Sequence, residues 1–346
     1  MGSPPHDSAS VTSTGDSGIA QVQPPARGRT RRWLLGAGGA VVGAGALGVS
    51  GVFLFDWWQR FVRKGARTIA DHRVALPAST PRMVIARGTD PALNVRAAVE
   101  RMGGMARFVS ASDVVLVKPN VGWERLPEQA ANTQPAVVAE LVRACRDAGA
   151  GRVLVSDCPV GDARACFERS GILQAALDNG AEVVLPDNSR YHTVRLSERL
   201  GTWEVLEPFI VATKILNVPA VKQHDLTQLT GGMKNWIGIT GKSRLRFHLD
   251  LPRTLAELAA LMRPTLTVVD ATRVLMEHGP QGGNLADVRV VNTVAASLDP
   301  IAADAWACEL LGAGRGELPE FLRLGEELGL GRTDYRSLQP VELSSG

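Results

Sequence analysis

Residues 113–120 read DVVLVKPN and residues 135–157 read PAVVAELVRACRDAGAGRVLVSD, and together they predict a strand, a loop, a helix and a second strand. Val114 to Val117 form an unbroken apolar run ending at Lys118, as expected of a strand buried on both faces. From Pro135 the apolar residues Val137, Val138, Leu141, Val142 and Cys145 recur at helical spacing. Proline suits the first helical position and Gly149 the end. Arg152 to Asp157 then repeats the buried-strand pattern.

Outward from this unit the alternation continues. Strands are expected at Met83–Ala86, Glu182–Leu185, Thr265–Asp270 and Val288–Val291, with strand or strand plus turn at Phe209–Val218. Helices are expected at Asn94–Met102, Ala163–Asn179, Thr254–Met262 and Ile301–Leu311. Strands separated by helices of this length imply an α/β fold, a parallel or mixed sheet with helices on both faces. Ligands of such sheets collect at the carboxyl ends of the strands. Three apolar runs end there on a titratable residue: Lys118, Asp157 and Asp270.

Chemistry gathers in Lys214–Asp250, KILNVPAVKQHDLTQLTGGMKNWIGITGKSRLRFHLD. The chain carries 32 Arg but only 6 Lys, and four of the lysines (Lys214, Lys222, Lys234, Lys242) fall in this stretch. An ammonium is a compact charge whose pKa moves readily on desolvation, which suits anion binding and proton transfer. His224 and His248 lie in the same stretch, as do Gly231, Gly232 and Gly238.

Beyond residue 65 the chain has 31 basic and 32 acidic residues, so the overall net charge of +3 resides at the amino terminus. That balance predicts no nucleic-acid partner. Neither a P-loop nor a G-x-G-x-x-G turn is present, and no G-x-S-x-G elbow marks a serine hydrolase. The four cysteines lack C-x-x-C spacing, so no iron–sulfur motif is expected; Cys158 and Cys166 could pair in an oxidising compartment.

Residues 1–30 are rich in Ser, Gly and Pro and are expected to be disordered. Residues 31–65 contain Arg31-Arg32-Trp33-Leu34-Leu35 after Thr30, then an uncharged run to Phe55. This segment resembles a twin-arginine export signal. The resemblance implies the twin-arginine translocation machinery as a partner and a periplasmic or other extracytoplasmic location. The 23 residues from Trp33 to Phe55 would also span a bilayer if helical, and Trp57-Trp58 with Arg60, Arg63 and Lys64 suits an uncleaved membrane anchor. Residues 66–346 would form the α/β domain.

Lys118-Pro119-Asn120, Ser156-Asp157, Lys222-x-His224, Thr230-Gly231-Gly232-Met233-Lys234-Asn235 with Gly238, His248, and Asp299-Pro300 with Asp304 together resemble the family known as domain of unknown function 362. The resemblance runs from about Arg82 to Gly312. It implies the fold and a shared site, and no particular reaction.

The residues themselves suggest a small anionic ligand, a carboxylate or a phosphate, held by Lys118, Lys222 and Lys234. Backbone N–H groups of Gly231 and Gly232 would complete the cradle, and Asn120 and Asn235 would orient the ligand. His224 and His248, with Lys222 and Lys234, are the candidate catalytic groups. Alternatively the two histidines bind a divalent metal ion, with Asp157 and Asp270 as oxygen donors. Two function classes follow. One is an enzyme, an isomerase or lyase or a metal-dependent oxidoreductase; the other is an exported protein that binds a metal or metabolite without turnover.

Overall fold

A computed structural model of the chain describes residues 67–242, 244–312 and 318–345. The expected amino-terminal region and the signal or anchor lie outside the described residues. Twelve strands are described: β1 (Met83–Arg87), β2 (Val114–Pro119), β3 (Arg152–Val155), β4 (Glu182–Val183), β5 (Tyr191–Ser197), β6 (Gly201–Leu206), β7 (Lys214–Val218), β8 (Ala220–His224), β9 (Gln228–Thr230), β10 (Leu266–Leu275), β11 (Val288–Ser297) and β12 (Val341–Ser344). Ten of these form one sheet in the order β12-β1-β11-β10-β7-β2-β3-β4, with β8 against β10 and β9 turned back on β8. In the main path β11 is antiparallel to its neighbours and the other strands run one way. The sheet is therefore mixed and mostly parallel, as the alternation of strand and helix implies.

Successive side chains in each strand point to opposite faces, and both faces are buried. Leu116, Leu154, Ile215, Val269 and Ala295 belong to one core with the helices Leu251–Met262, Pro300–Leu310 and Glu320–Glu327. Val115, Val117, Val153, Val155, Leu216 and Val268 belong to the other, beneath the helices Pro91–Arg101 and Pro135–Asp147. Each fully buried aliphatic side chain contributes about 1.5–3 kcal/mol relative to exposure. Asp90, Asp162, Asp250 and Asp299 cap helices through their carboxylates, about 1 kcal/mol apiece.

Several elements differ from expectation for identifiable reasons. The helix expected over Ala163–Asn179 is two, Ala163–Arg169 and Ile172–Asp178. Gly171 between them sits at φ +73° with its Cα packed on Pro135, where an added Cβ would lie 3.2 Å from that ring. Pro208–Val211 is a helical turn preceding β7 rather than part of the strand. The strand begun at Thr265 does not stop at Asp270; β10 runs on to Leu275, and β8 pairs with that distal half. The hairpin β5–β6 and the short strands β8 and β9 carry no clean periodicity and were not expected.

Candidate functional site

Lys118 and Asp157 meet because β2 and β3 are adjacent and parallel, so their carboxyl ends leave the sheet together. Lys118 is completely buried. Its Nζ donates to Asp157 Oδ1 at 2.7 Å, to Pro119 O at 2.8 Å and to Asn235 Oδ1 at 2.9 Å, which uses all three ammonium protons. Asp157 also accepts from the backbone N–H of Val121 at 2.7 Å and of Cys158 at 2.9 Å. Burial pushes the Lys118 ammonium below its ordinary range, opposed by the charge of Asp157.

Two asparagines extend this pair into a network. Asn235 donates to Asn217 Oδ1 at 2.9 Å, and Asn217 in turn donates to Gly232 O at 3.0 Å. Asn120 Nδ2 donates to Asn235 Oδ1 at 3.1 Å, and Asn120 Oδ1 accepts from Lys222 Nζ at 2.8 Å. Lys222 spends a second proton on Ala131 O at 2.5 Å. Burial, then the charge of Lys234, brings the Lys222 amine down to about 7.

Lys234 is the contrast. Among the described residues its Nζ has no hydrogen bond or ion pair, although burial, then the charge of Arg244, lowers it to about 8. It stands on the helical turn Gly232–Asn235, which is held by Asp304. That carboxylate lies fully buried and accepts from Gly232 N at 2.5 Å and Met233 N at 2.9 Å. Burial raises it to about 6, with the two N–H groups opposing. The glycine pair therefore does not form the expected anion cradle, since the Gly232 N–H is already taken. The glycines are needed for the approach of Asp304: a Cβ on Gly231 would lie 2.4 Å from its Oδ1. Gly238 has a similar reason, its Cβ position falling 1.9 Å from Asp157 Oδ1 and 3.0 Å from Lys118 Nζ.

His224 is buried on β8 and its Nδ1 accepts from Leu226 N at 3.1 Å, which leaves Nε2 as the protonated nitrogen of the neutral ring. Burial, then the charges of Lys234 and Lys222, depress it to about 3. His248 is exposed, its ring at 3.1 Å from Arg244 O. It contributes to the field on His224, but no hydrogen bond joins the two imidazoles.

The four candidate metal ligands do not assemble. Asp157 is engaged with Lys118, and Asp270 caps the Pro135–Asp147 helix by accepting from Gln134 N at 2.7 Å, with Thr272 Oγ1 at 2.7 Å on its other oxygen. Among the described residues, the group of three or more potential ligands within 4.8 Å of one another is Glu277, His278 and Asp287 on the β10–β11 connection, which does not include them.

Arg244 is a site residue that sequence reasoning missed. Its Nε donates to Thr240 O at 2.6 Å and its other arm to Cys158 O. Its charge bears on Lys234, Lys118 and Tyr191. Cys158 is a free, buried thiol raised to about 11 by desolvation, and Cys166 is free as well. That argues against a nucleophilic thiol at Cys158.

Residues 115–309 match the model of a family described as Domain of unknown function (DUF362). A curated protein from Synechocystis sp., named thylakoid-associated protein sll1697, is 29% identical over 249 residues, covering 69% of this chain and 75% of that one. Among solved structures, the lactate racemase apoprotein of Thermoanaerobacterium thermosaccharolyticum is similar with a TM-score of 0.44 and 16% identity over 68% of this chain. The chain spans 58% of the length of that structure.

Proposed function

This chain belongs to the domain of unknown function 362 family, and within that membership we propose that its carboxyl-edge site binds a small anion, a carboxylate or a phosphate, and moves a proton on it. One observation carries the reading. Lys222 and Lys234 form a desolvated cationic pair with the half-buried Arg244 beside Lys234, and the carboxylate whose charge reaches Lys222, Asp157, is already engaged by Lys118. Desolvated charge without a counter-charge is costly, and a bound anion supplies the missing partner.

The roles divide differently from the initial expectation. His224, held near 3, remains neutral at ordinary pH and serves as an Nε2–H donor to a ligand oxygen. Lys222 near 7 and Lys234 near 8 are the groups that exchange a proton in the working range, where acid/base efficiency is greatest. Lys118, Asp157, Asn120, Asn217 and Asn235 position them. Proton abstraction beside a carboxylate, as in isomerisation, epimerisation or elimination, is the chemistry that this set performs best. The proposal places the protein outside the cytoplasm by the twin-arginine route, on the strength of Thr30 to Leu35.

The test pairs calorimetric titration of phosphate and of simple 2-hydroxy and 2-oxo carboxylates with deuterium incorporation into the carboxylates, followed by NMR. Wild type should bind at least one class and exchange a carbon-bound proton, and Lys222→Met with Lys234→Met should lose both. Equal binding by wild type and the double variant would remove the anion site. Binding without exchange would favour the non-catalytic reading.

A further inference from the structure

We infer that the ligand of this site is amphipathic, an anionic head carried on an apolar chain; this rests on the anion-site reading above and adds the substrate class. The four most exposed large apolar side chains among the described residues are Leu249 at 86%, Leu245 at 84%, Leu226 at 71% and Val160 at 63%. Isolated exposed leucines are ordinary on protein surfaces. These four all fall on the segments that carry the site.

Each lies within three residues of a group already described. Val160 follows Asp157 and its N–H donates to Gly122 O at 3.0 Å, and a Cβ on Gly122 would be 3.9 Å from Lys222 Nζ. Leu226 gives its N–H to the His224 ring. Leu245 is next to Arg244 and Leu249 next to His248. The last pair is held outward by its own anchor: Phe247 between them is buried and stacks on Trp203 with centroids 3.9 Å apart and planes at 18°. Arg246 covers Trp203 as well, at 4.8 Å. The exposure of these leucines is thus a property of a pinned segment.

Charge complementarity fixes the occupant. A partner carrying only apolar surface would leave Lys222, Lys234 and Arg244 without a counter-charge, and a compact anion would leave the four apolar side chains wet. A single-chain carboxylate or alkyl phosphate satisfies both, its head beside the amines and its chain along Leu226, Leu245, Leu249 and Val160. Such a molecule arrives either as a dissolved monomer or from a bilayer.

Calorimetry on the full-length protein with methyl, butyl, octyl and dodecyl phosphate, each below its micellar concentration, tests this. Binding should tighten about two- to fourfold for each added methylene until the apolar side chains are covered. Leu245→Ser with Leu249→Ser should flatten that dependence without changing methyl phosphate affinity, and Lys222→Met with Lys234→Met should weaken every member. Affinity independent of chain length in wild type would overturn the amphipathic ligand and leave the anion site intact. Failure of every phosphate and carboxylate to bind would instead remove the anion site beneath it. Tightening that persists unchanged in the lysine variant would reassign the leucines to plain adsorption. A second arm uses phosphatidylcholine vesicles with and without dodecyl phosphate. Capture dependent on the added phosphate supports delivery from a bilayer, and equal capture by both would make the leucines a membrane-docking surface and overturn the proposal.

Discussion

The two edges of the sheet handle positive charge in opposite ways. At the amino edge, where β1, β10 and β12 begin, a cleft of about 1170 Å³ is lined by Arg73, Arg82, Arg101, Arg263 and Arg332. These arginines are exposed; Arg73 and Arg263 share Asp71 at 2.6 and 3.3 Å. At the carboxyl edge Lys118 and Lys222 are fully buried and tied to amide and carboxylate oxygens. A hydrated guanidinium costs the fold almost nothing and perturbs little. A desolvated ammonium costs the fold stability, and in return its proton becomes easy to move.

The comparison breaks first at Asp157. Asp157→Ala leaves the Lys118 ammonium buried without its counter-charge and should cost about 3–5 kcal/mol, read from urea unfolding midpoints. A loss under 1 kcal/mol would mean that the carboxyl edge is as wet as the amino edge. Gly238→Ala forces a methyl into the same ion pair and should cost about 1–3 kcal/mol while abolishing anion binding by calorimetry; a variant that binds normally would show that the pair tolerates separation.

A pH scan sharpens the same point. Lys222 is held near 7 in the fold against an ordinary 10.5, so between those values the unfolded chain binds more protons and stability rises with pH. The melting temperature of the ligand-free protein should therefore climb from pH 7 to 9. Added phosphate should stabilise more at pH 7 than at pH 9, because the anion selects the protonated amines. A melting temperature that falls across this window would contradict a desolvated Lys222. The smallest effect belongs to the other edge: Asp71→Ala, which breaks an exposed pair, should change stability by less than about 1 kcal/mol and leave anion affinity unchanged.

How much of this was legible in the sequence depended on period and on residue bias. The runs Val114–Val117, Val153–Val155 and Leu266–Val269 declare buried strands because β-branched residues on both faces leave no other reading. Asp270 was misread because the apolar run ends there while the strand does not: Ala271 to Leu275 mixes Thr272 and Arg273 into a segment that still pairs on both sides. The lysines stood out because the chain otherwise uses arginine, and for the same reason Arg244 was invisible among 32 arginines. From the sequence Asp304, one turn past Asp299, is either solvated or facing the site. Its role depends on the docking of Gly231 and Gly232 more than 70 positions away, which no local pattern reports.

The asparagine network has a kinetic corollary. Its closing hydrogen bonds join Lys118 to Asn235, Asn120 to Asn235 and Asn120 to Lys222, pairs separated by 117, 115 and 102 positions along the chain. Contacts so distant in sequence form only after the entropy of closing the intervening loop has been met. Until those distant segments meet, these amines stay hydrated with their ordinary proton affinity, and closure of the network lowers it. Refolding should therefore release protons at this edge as the network closes, which an indicator dye would read.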